Sequence, residues 1–273
     1  MKSTTGQEKT PGCLQGKFPQ FCLSLPSVCI LTALLISPLQ ASIYRLEIDG
    51  AINPIMSEYI VSGLALAEKD RAEAILLLLR TPGGMILSMS EILEKMLACP
   101  IPIIAYVSPG GTHAASAGFF LLIAADVAAM APGTRTGAAH PIFAVGGVPL
   151  SDNQTAKTLL DKITNDSVAS LKAIAQRRGR DVTLVEKASR ESESFTETQA
   201  LEGKLIDLIA ASEAELLQTL DGRKIRLFSD QSRTLSTRGH AVITIEMTHR
   251  QKLLLAISNP NLALLLFIGG ALL

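Results

Sequence analysis

A plan of strand, glycine turn and helix recurs at intervals of about 30 residues, and no other feature narrows the fold as far. Ile43 to Ile48 alternates in strand fashion, and Ile55 to Lys69 follows with helical spacing. The apolar run Ala74 to Leu79 leads into the breaker Thr81-Pro82-Gly83-Gly84 and the helical stretch Met85 to Leu97. A third unit sets the strand Ile101 to Val107 before Pro109-Gly110-Gly111 and predicts one helix from Ser116 to Met130. Strands joined through helices run parallel, because each crossover returns the chain to the same end of the sheet. The expected class is α/β with a largely parallel sheet.

The stretch from Ser116 to Met130 carries a single charge, Asp126. A helix apolar all round is buried all round, so Ser116 would open a core helix. Beyond Pro132-Gly133 the chain runs through small residues to His140-Pro141, then through Phe143 to Pro149 into a polar helix of roughly Thr155 to Gln176. A glycine-rich connection of that length suits a lid or substrate-binding segment. Thr196 with Gln199, and Ser212 with Glu215, fit capping boxes, and Gly203 fits a helix C-cap. Leu205 to Ile209 reads as a buried strand, and Val242 to Glu246 as a lone one.

At 273 residues and 48% hydrophobic, the chain suffices for one main domain with short appendages. Lys+Arg and Asp+Glu are 25 each, which leaves no basic footprint for phosphates and argues against nucleic-acid binding. Cys13, Cys22 and Cys29 lie near the N-terminus and Cys99 stands alone. That is neither a disulfide framework nor a metal spacing, and no metal or cofactor is expected. Phe18 to Tyr44 is free of charge and follows Lys2, Lys9 and Lys17, as in an export signal or anchor. Leu253 to Leu273 is also uncharged, but Asn259-Pro260-Asn261 interrupts it and leaves about 18 Å of helix against roughly 30 Å of hydrocarbon. The expected organisation is a signal peptide or anchor over 1–41 and a globular domain over 42–231. A linker with one strand over 232–252 and a hydrophobic tail over 253–273, an incomplete transmembrane helix, complete it. This places the protein at a membrane with its globular domain on the extracytoplasmic side.

Ser116 is the leading candidate for chemistry. A hydroxyl is a weak nucleophile and needs a tight turn or helix N-terminus, a base, and donors facing the developing oxyanion. Ser116 stands where helix N–H groups and dipole favour negative charge, and Ala117 offers its own N–H. Gly83 and Gly84 end the neighbouring strand and, lacking Cβ atoms, allow backbone N–H groups close to a substrate carbonyl. Ala117 with Gly83 or Gly84 would form the oxyanion hole. Taken singly, a serine at a helix start is an N-cap and Pro-Gly-Gly a turn. Their conjunction is what points to acyl transfer.

Five ordered segments carry a family resemblance: Thr81-Pro82-Gly83-Gly84, Ala115-Ser116-Ala117-Gly118, Ala129 to Thr134, Gly137-Ala138-Ala139-His140-Pro141 and Lys162-Ile163-Thr164-Asn165. They resemble the NfeD family of membrane-bound serine proteases, related to Clp peptidase and signal peptide peptidase A. The resemblance implies a Clp-peptidase/crotonase-like superhelix of repeated β-β-α units. It implies a Ser-Lys dyad of Ser116 and Lys162, acting on apolar segments of stomatin-like membrane proteins. Homo-oligomeric assembly is expected. On a helical wheel Leu159, Leu160, Ile163, Leu171 and Ile174 form the apolar arc, and Lys162 falls outside it with Asp166 and Ala169. A lysine acts as a base only when shielded from water.

His140 is the rival base, since an imidazole accepts a proton at neutral pH without special shielding. Its acid partner would be Asp207. His113, His240 and His249 read as surface or turn residues. Arg80 departs from the family pattern before Thr-Pro-Gly-Gly and puts a cation beside the oxyanion loop. Two other functions compete: a non-catalytic scaffold for stomatin-like partners, and an acyl-CoA hydratase or isomerase, which shares the fold but needs a carboxylate that does not flank Ser116.

Overall fold

The computed structural model describes residues 42–141, 144–145, 148–149 and 154–258, with side chains described outside 142–156. The leader expected over residues 1–41, most of the tail, and the middle of the glycine-rich connection lie outside the described residues. No helix among the described residues is long and apolar enough to cross a membrane.

The first two units form as their patterns predict. Strand β1 (Ile43–Asp49) leads to helix α1 (Pro54–Lys69), β2 (Ala74–Arg80) and α2 (Ile86–Ala98), and then to β3 (Ile103–Val107). Helix α1 starts where Asn53 accepts the N–H groups of Ile55 and Met56 at 3.0 and 2.9 Å, with Pro54 at the first position, where no donor is lost. Between the units, Ile52 donates to Gly83 O at 2.8 Å and accepts from Met85 N at 2.8 Å. The loop before α1 is thereby laced to the glycine turn after β2.

The third unit differs. After β4 (His113–Ala115), the run expected as one helix splits into α3 (Ala117–Ala124) and β5 (Val127–Met130). The break falls at Asp126, whose carboxylate accepts Ile103 N at 2.8 Å and meets Arg178 at 2.6 Å. An apolar run buried on every side fits a core helix and a core strand equally, so periodicity alone does not divide it.

The chain continues through β6 (Arg135–Gly137), the hairpin β7 (Ala144–Val145) and β8 (Val148–Pro149), and the long helix α4 (Gln154–Arg178). Then follow α5 (Val182–Arg190), β9 (Ser194–Thr196), α6 (Glu197–Glu202), β10 (Leu208–Ile209) and α7 (Glu213–Leu220). Strands β11 (Lys224–Arg226), β12 (Ser232–Thr234) and β13 (Val242–Thr244) precede α8 (His249–Ile257). The capping box at Thr196 forms in full. That at Ser212 forms by half, because Glu215 turns its carboxylate to Ala211 N at 2.8 Å.

The main sheet has six strands in the order β10-β5-β3-β2-β1-β13, every neighbouring pair parallel. Strand β13 is therefore not alone: it extends the sheet beside Ile43–Arg45. The strand expected over Leu205–Ile209 is confined to its last two residues. Central strands are buried on both faces, which is why β2 and β3 read as continuous apolar runs. Leu46, Leu77, Ile103 and Ala105 pack toward α1, α2 and α3, while Ile43, Leu76, Ile104 and Tyr106 pack toward α7 and the β11–β12 hairpin. A second, three-stranded layer, β4-β6-β9, stands at the end of the main sheet that carries Ser116.

Candidate active site

Ser116 joins β4 to α3 at φ 51°, ψ −117°, a backbone region that L-residues adopt only when their surroundings impose it. The imposed contacts are on both sides. Ala115 N donates to Thr81 O at 3.0 Å, and Ser116 N donates to Gly137 O at 3.0 Å. The small residues around the serine are sterically required. A Cβ on Gly118 would lie 2.5 Å from Thr81 Cγ2, and one on Gly83 would lie 2.5 Å from Ser116 Cβ and 3.0 Å from its Oγ. Ser116 and Gly83 are thus in direct contact.

Helix α3 is buried throughout, and two arginines grip its far end. Arg180 donates to Ile123 O at 3.0 Å and Ala125 O at 3.2 Å, and Arg178 donates to Ala124 O at 2.8 Å. These cations satisfy carbonyls that a helix C-terminus leaves without partners and sit at the negative end of its dipole. The opposite, positive end opens onto Ser116. Sequence reasoning missed this clamp, although Arg178-Gly179-Arg180 at the end of α4 was its visible signal.

Three candidate oxyanion donors differ in availability. Gly83 N is engaged by Thr81 Oγ1 at 3.0 Å, a contact by a fully buried threonine that sequence reasoning also overlooked. Gly84 N and Ala117 N have no hydrogen-bond acceptor among the described residues. Their directions follow from the chain. Gly83 O and Met85 N both face Ile52, so the N–H of Gly84 faces the other way. That is the side on which Thr81 bridges Ala114, two residues before Ser116.

The two candidate bases are placed differently. Lys162 lies on the exposed face of α4 with Asp166 and Ala169, and no hydrogen bond or ion pair joins it to Ser116 among the described residues. His140 is half-buried and places Nδ1 3.1 Å from Ser189 O. The carbonyl can only accept, so Nδ1 is the donor in this contact and, in a neutral imidazole, Nε2 is the nitrogen left to accept a proton. The acid expected behind His140 is elsewhere: Asp207 accepts Ala128 N at 2.7 Å and meets Arg180 at 3.3 Å. Arg80, expected as a cation beside the glycine turn, is paired with Asp49, its Nε 2.7 Å from Oδ1.

A parallel-sheet α/β domain with a strained serine at the mouth of a buried helix, facing unpartnered backbone donors, belongs to the Clp-peptidase-like class of folds. The chain itself belongs to the family described as NfeD1b, N-terminal domain, whose profile matches residues 42–224. It is 34% identical over 244 residues to the membrane-bound protease PH1510 of Pyrococcus horikoshii, covering 88% of this chain and 54% of the relative. It is 30% identical over 98 residues to the membrane protein NfeD1b of Bacillus subtilis, covering 36% of this chain and 22% of that protein. The chain therefore spans about half the length, or less, of these curated relatives. Among solved structures, it matches a lysine-to-alanine mutant of the 1510-N membrane-bound stomatin-specific protease in complex with a substrate peptide. The TM-score is 0.71 at 31% identity, over 80% of this chain and 98% of that one. A serine-to-alanine mutant of the same protease matches with a TM-score of 0.68 at 31% identity, over 77% and 99% of the two chains.

Proposed function

We propose that this chain is the catalytic part of a membrane-associated serine endopeptidase with Ser116 as nucleophile, cleaving apolar segments of stomatin-like membrane proteins. The carrying observation is the strained Ser116 backbone beside two unpartnered donors, the N–H groups of Ala117 and Gly84. In the reaction, Ser116 Oγ attacks the peptide carbonyl while the base takes the hydroxyl proton. The two N–H groups hold the resulting oxyanion, and the base then returns the proton to the departing amine. Water attacks the acyl-serine by the same route in reverse and releases the free acid. Gly84 suits the second donor position better than Gly83, whose N–H already serves Thr81. Relatives studied as serine and lysine mutants, one holding a substrate peptide, support Lys162 as the base. Because Lys162 is exposed, the proposal requires bound peptide or a second protomer to shield it. The apolar tail would keep the domain at the membrane, on its extracytoplasmic side.

His140 is the second candidate, favoured by the tautomer that its bond to Ser189 O imposes. Turnover of an apolar peptide by wild type, Ser116→Ala, Lys162→Ala and His140→Ala separates the assignments. Loss in the first two variants with retention in His140→Ala is the expected pattern. Retention in Lys162→Ala with loss in His140→Ala transfers the base to the imidazole. Equal turnover in all four proteins would remove the peptidase assignment and leave a scaffold.

A further inference from the structure

Helix α2 begins directly after the glycine turn that touches Ser116, and its first turn is dressed unlike the rest of it. Met85, Ile86 and Leu87 are 53%, 37% and 80% exposed, three large apolar side chains in succession. Farther along the helix the exposed positions are Ser90, Glu91, Glu94 and Lys95, with the small Ala98 at its last residue. Leu87, Ser90, Glu91 and Glu94 share one face at helical spacing, so a single face changes from apolar to charged as it leaves the serine. The buried side, Met89, Ile92, Leu93 and Met96, is continuous along the helix, so core packing does not demand the outer apolar turn. Met85 stands at the N-cap position without a side-chain cap, where most helices place a polar residue. Both departures fall at the site end. Their backbone is fixed there too, with Met85 N bonded to Ile52 O at 2.8 Å.

We propose that Met85, Ile86 and Leu87 form the specificity surface of this site, holding apolar side chains of the peptide next to the scissile bond. The inference rests on Ser116 being the nucleophile of a peptidase. A peptide carbonyl placed at Ser116 with its oxygen toward Gly84 N–H brings the adjoining residues over Gly84 and onto this turn. Their apolar side chains leave water there together with the three that α2 exposes. A polar residue in the same place would lose its hydration without gaining a partner.

The test compares two peptides that differ only in the residues flanking the cleaved bond, leucine and valine in one, serine and asparagine in the other. Wild type, Leu87→Ser, Met85→Ser and, as a control, Leu253→Ser on the exposed side of α8 are assayed for kcat/KM on both. The preference for the apolar peptide is expected to fall about tenfold or more in Leu87→Ser and Met85→Ser and to stay in Leu253→Ser. Thermal unfolding of each variant establishes that the change is not loss of fold. An unchanged preference in both α2 variants overturns the inference. So does a changed oligomeric state in sedimentation with preference intact, which would assign the turn to contact between copies of this chain. Labelling of wild-type Ser116 by a small fluorophosphonate reports separately on the nucleophile: its absence removes the assignment on which the inference stands, and its presence with unchanged preference sinks the inference alone.

Discussion

Gly83 lies against Ser116 so closely that a Cβ at position 83 would stand 2.5 Å from the serine Cβ. Its φ of +116° is a conformation that side-chain-bearing residues avoid, so the glycine is needed for its backbone and for its size. The turn after β2 and the elbow before α3 come from different units of the chain and meet here, and under the proposed mechanism their contact would set where a substrate carbonyl rests.

Gly83→Ala is expected to lower peptide turnover by more than 100-fold and stability by about 1–3 kcal/mol. Gly84→Ala should destabilise more, because its Cβ would fall 2.0 Å from the backbone oxygen of Ile52, which cannot swing aside. Chemical denaturation read beside turnover checks both. Wild-type activity in Gly83→Ala would refute the close approach.

Ser116→Gly and Ser116→Ala should both abolish turnover yet differ in stability. Glycine adopts φ 51°, ψ −117° without strain, so Ser116→Gly should be more stable than Ser116→Ala by about 1 kcal/mol. Equal melting temperatures would show that the elbow stores no strain.

Arg180→Ala is expected to cost about 3–5 kcal/mol. The buried guanidinium serves Ile123 O, Ala125 O and Leu205 O, which would lose this donor, and meets Asp207, which would keep only Ala128 N among the described residues. Lysine should not rescue it, since one ammonium cannot reproduce the planar fork. Full stability in Arg180→Lys, measured by urea unfolding, would contradict the clamp.

Burial pushes the Cys99 thiol from its ordinary 9.0 up to about 11. Between these pH values the unfolded chain has lost a proton that the folded chain keeps, so the contribution of this group to stability falls as pH rises through that window. Near pH 8 the folded protein should carry about a hundredfold less thiolate at Cys99 than a free cysteine. Mass-spectrometric mapping of maleimide labelling should show Cys99 spared until urea unfolds the domain. Rapid labelling in the native protein would contradict its burial.

The sequence carried the parallel α/β plan because each unit announces itself locally. Ser116, Gly83 and Gly84 stood out as candidates for the same reason, as a serine and glycines where strands end, and Ala117 as the residue that follows the serine. The split of Ser116–Met130 was not, since a run buried on all sides has no polar face to betray its period. The fate of charges was also hidden. Asp207 was expected behind His140 and joins Arg180, and the pairing of Arg80 with Asp49 had no signal in the sequence. Which charges meet depends on residues far apart in the chain.

By itself, then, the sequence determined the order of strand, turn and helix, the serine between strand and helix and the glycine pair that follows β2. Those are properties of short stretches, governed by periodicity and by what each residue allows its own backbone. Only the tertiary structure decided that Gly83 spends its N–H on Thr81 while Gly84 and Ala117 keep theirs, and that two arginines hold α3 from behind. It also left Lys162 on an exposed helix face, away from any partner among the described residues. Hydrogen-bond directions and burial arise from how separate segments pack, and no local pattern encodes them.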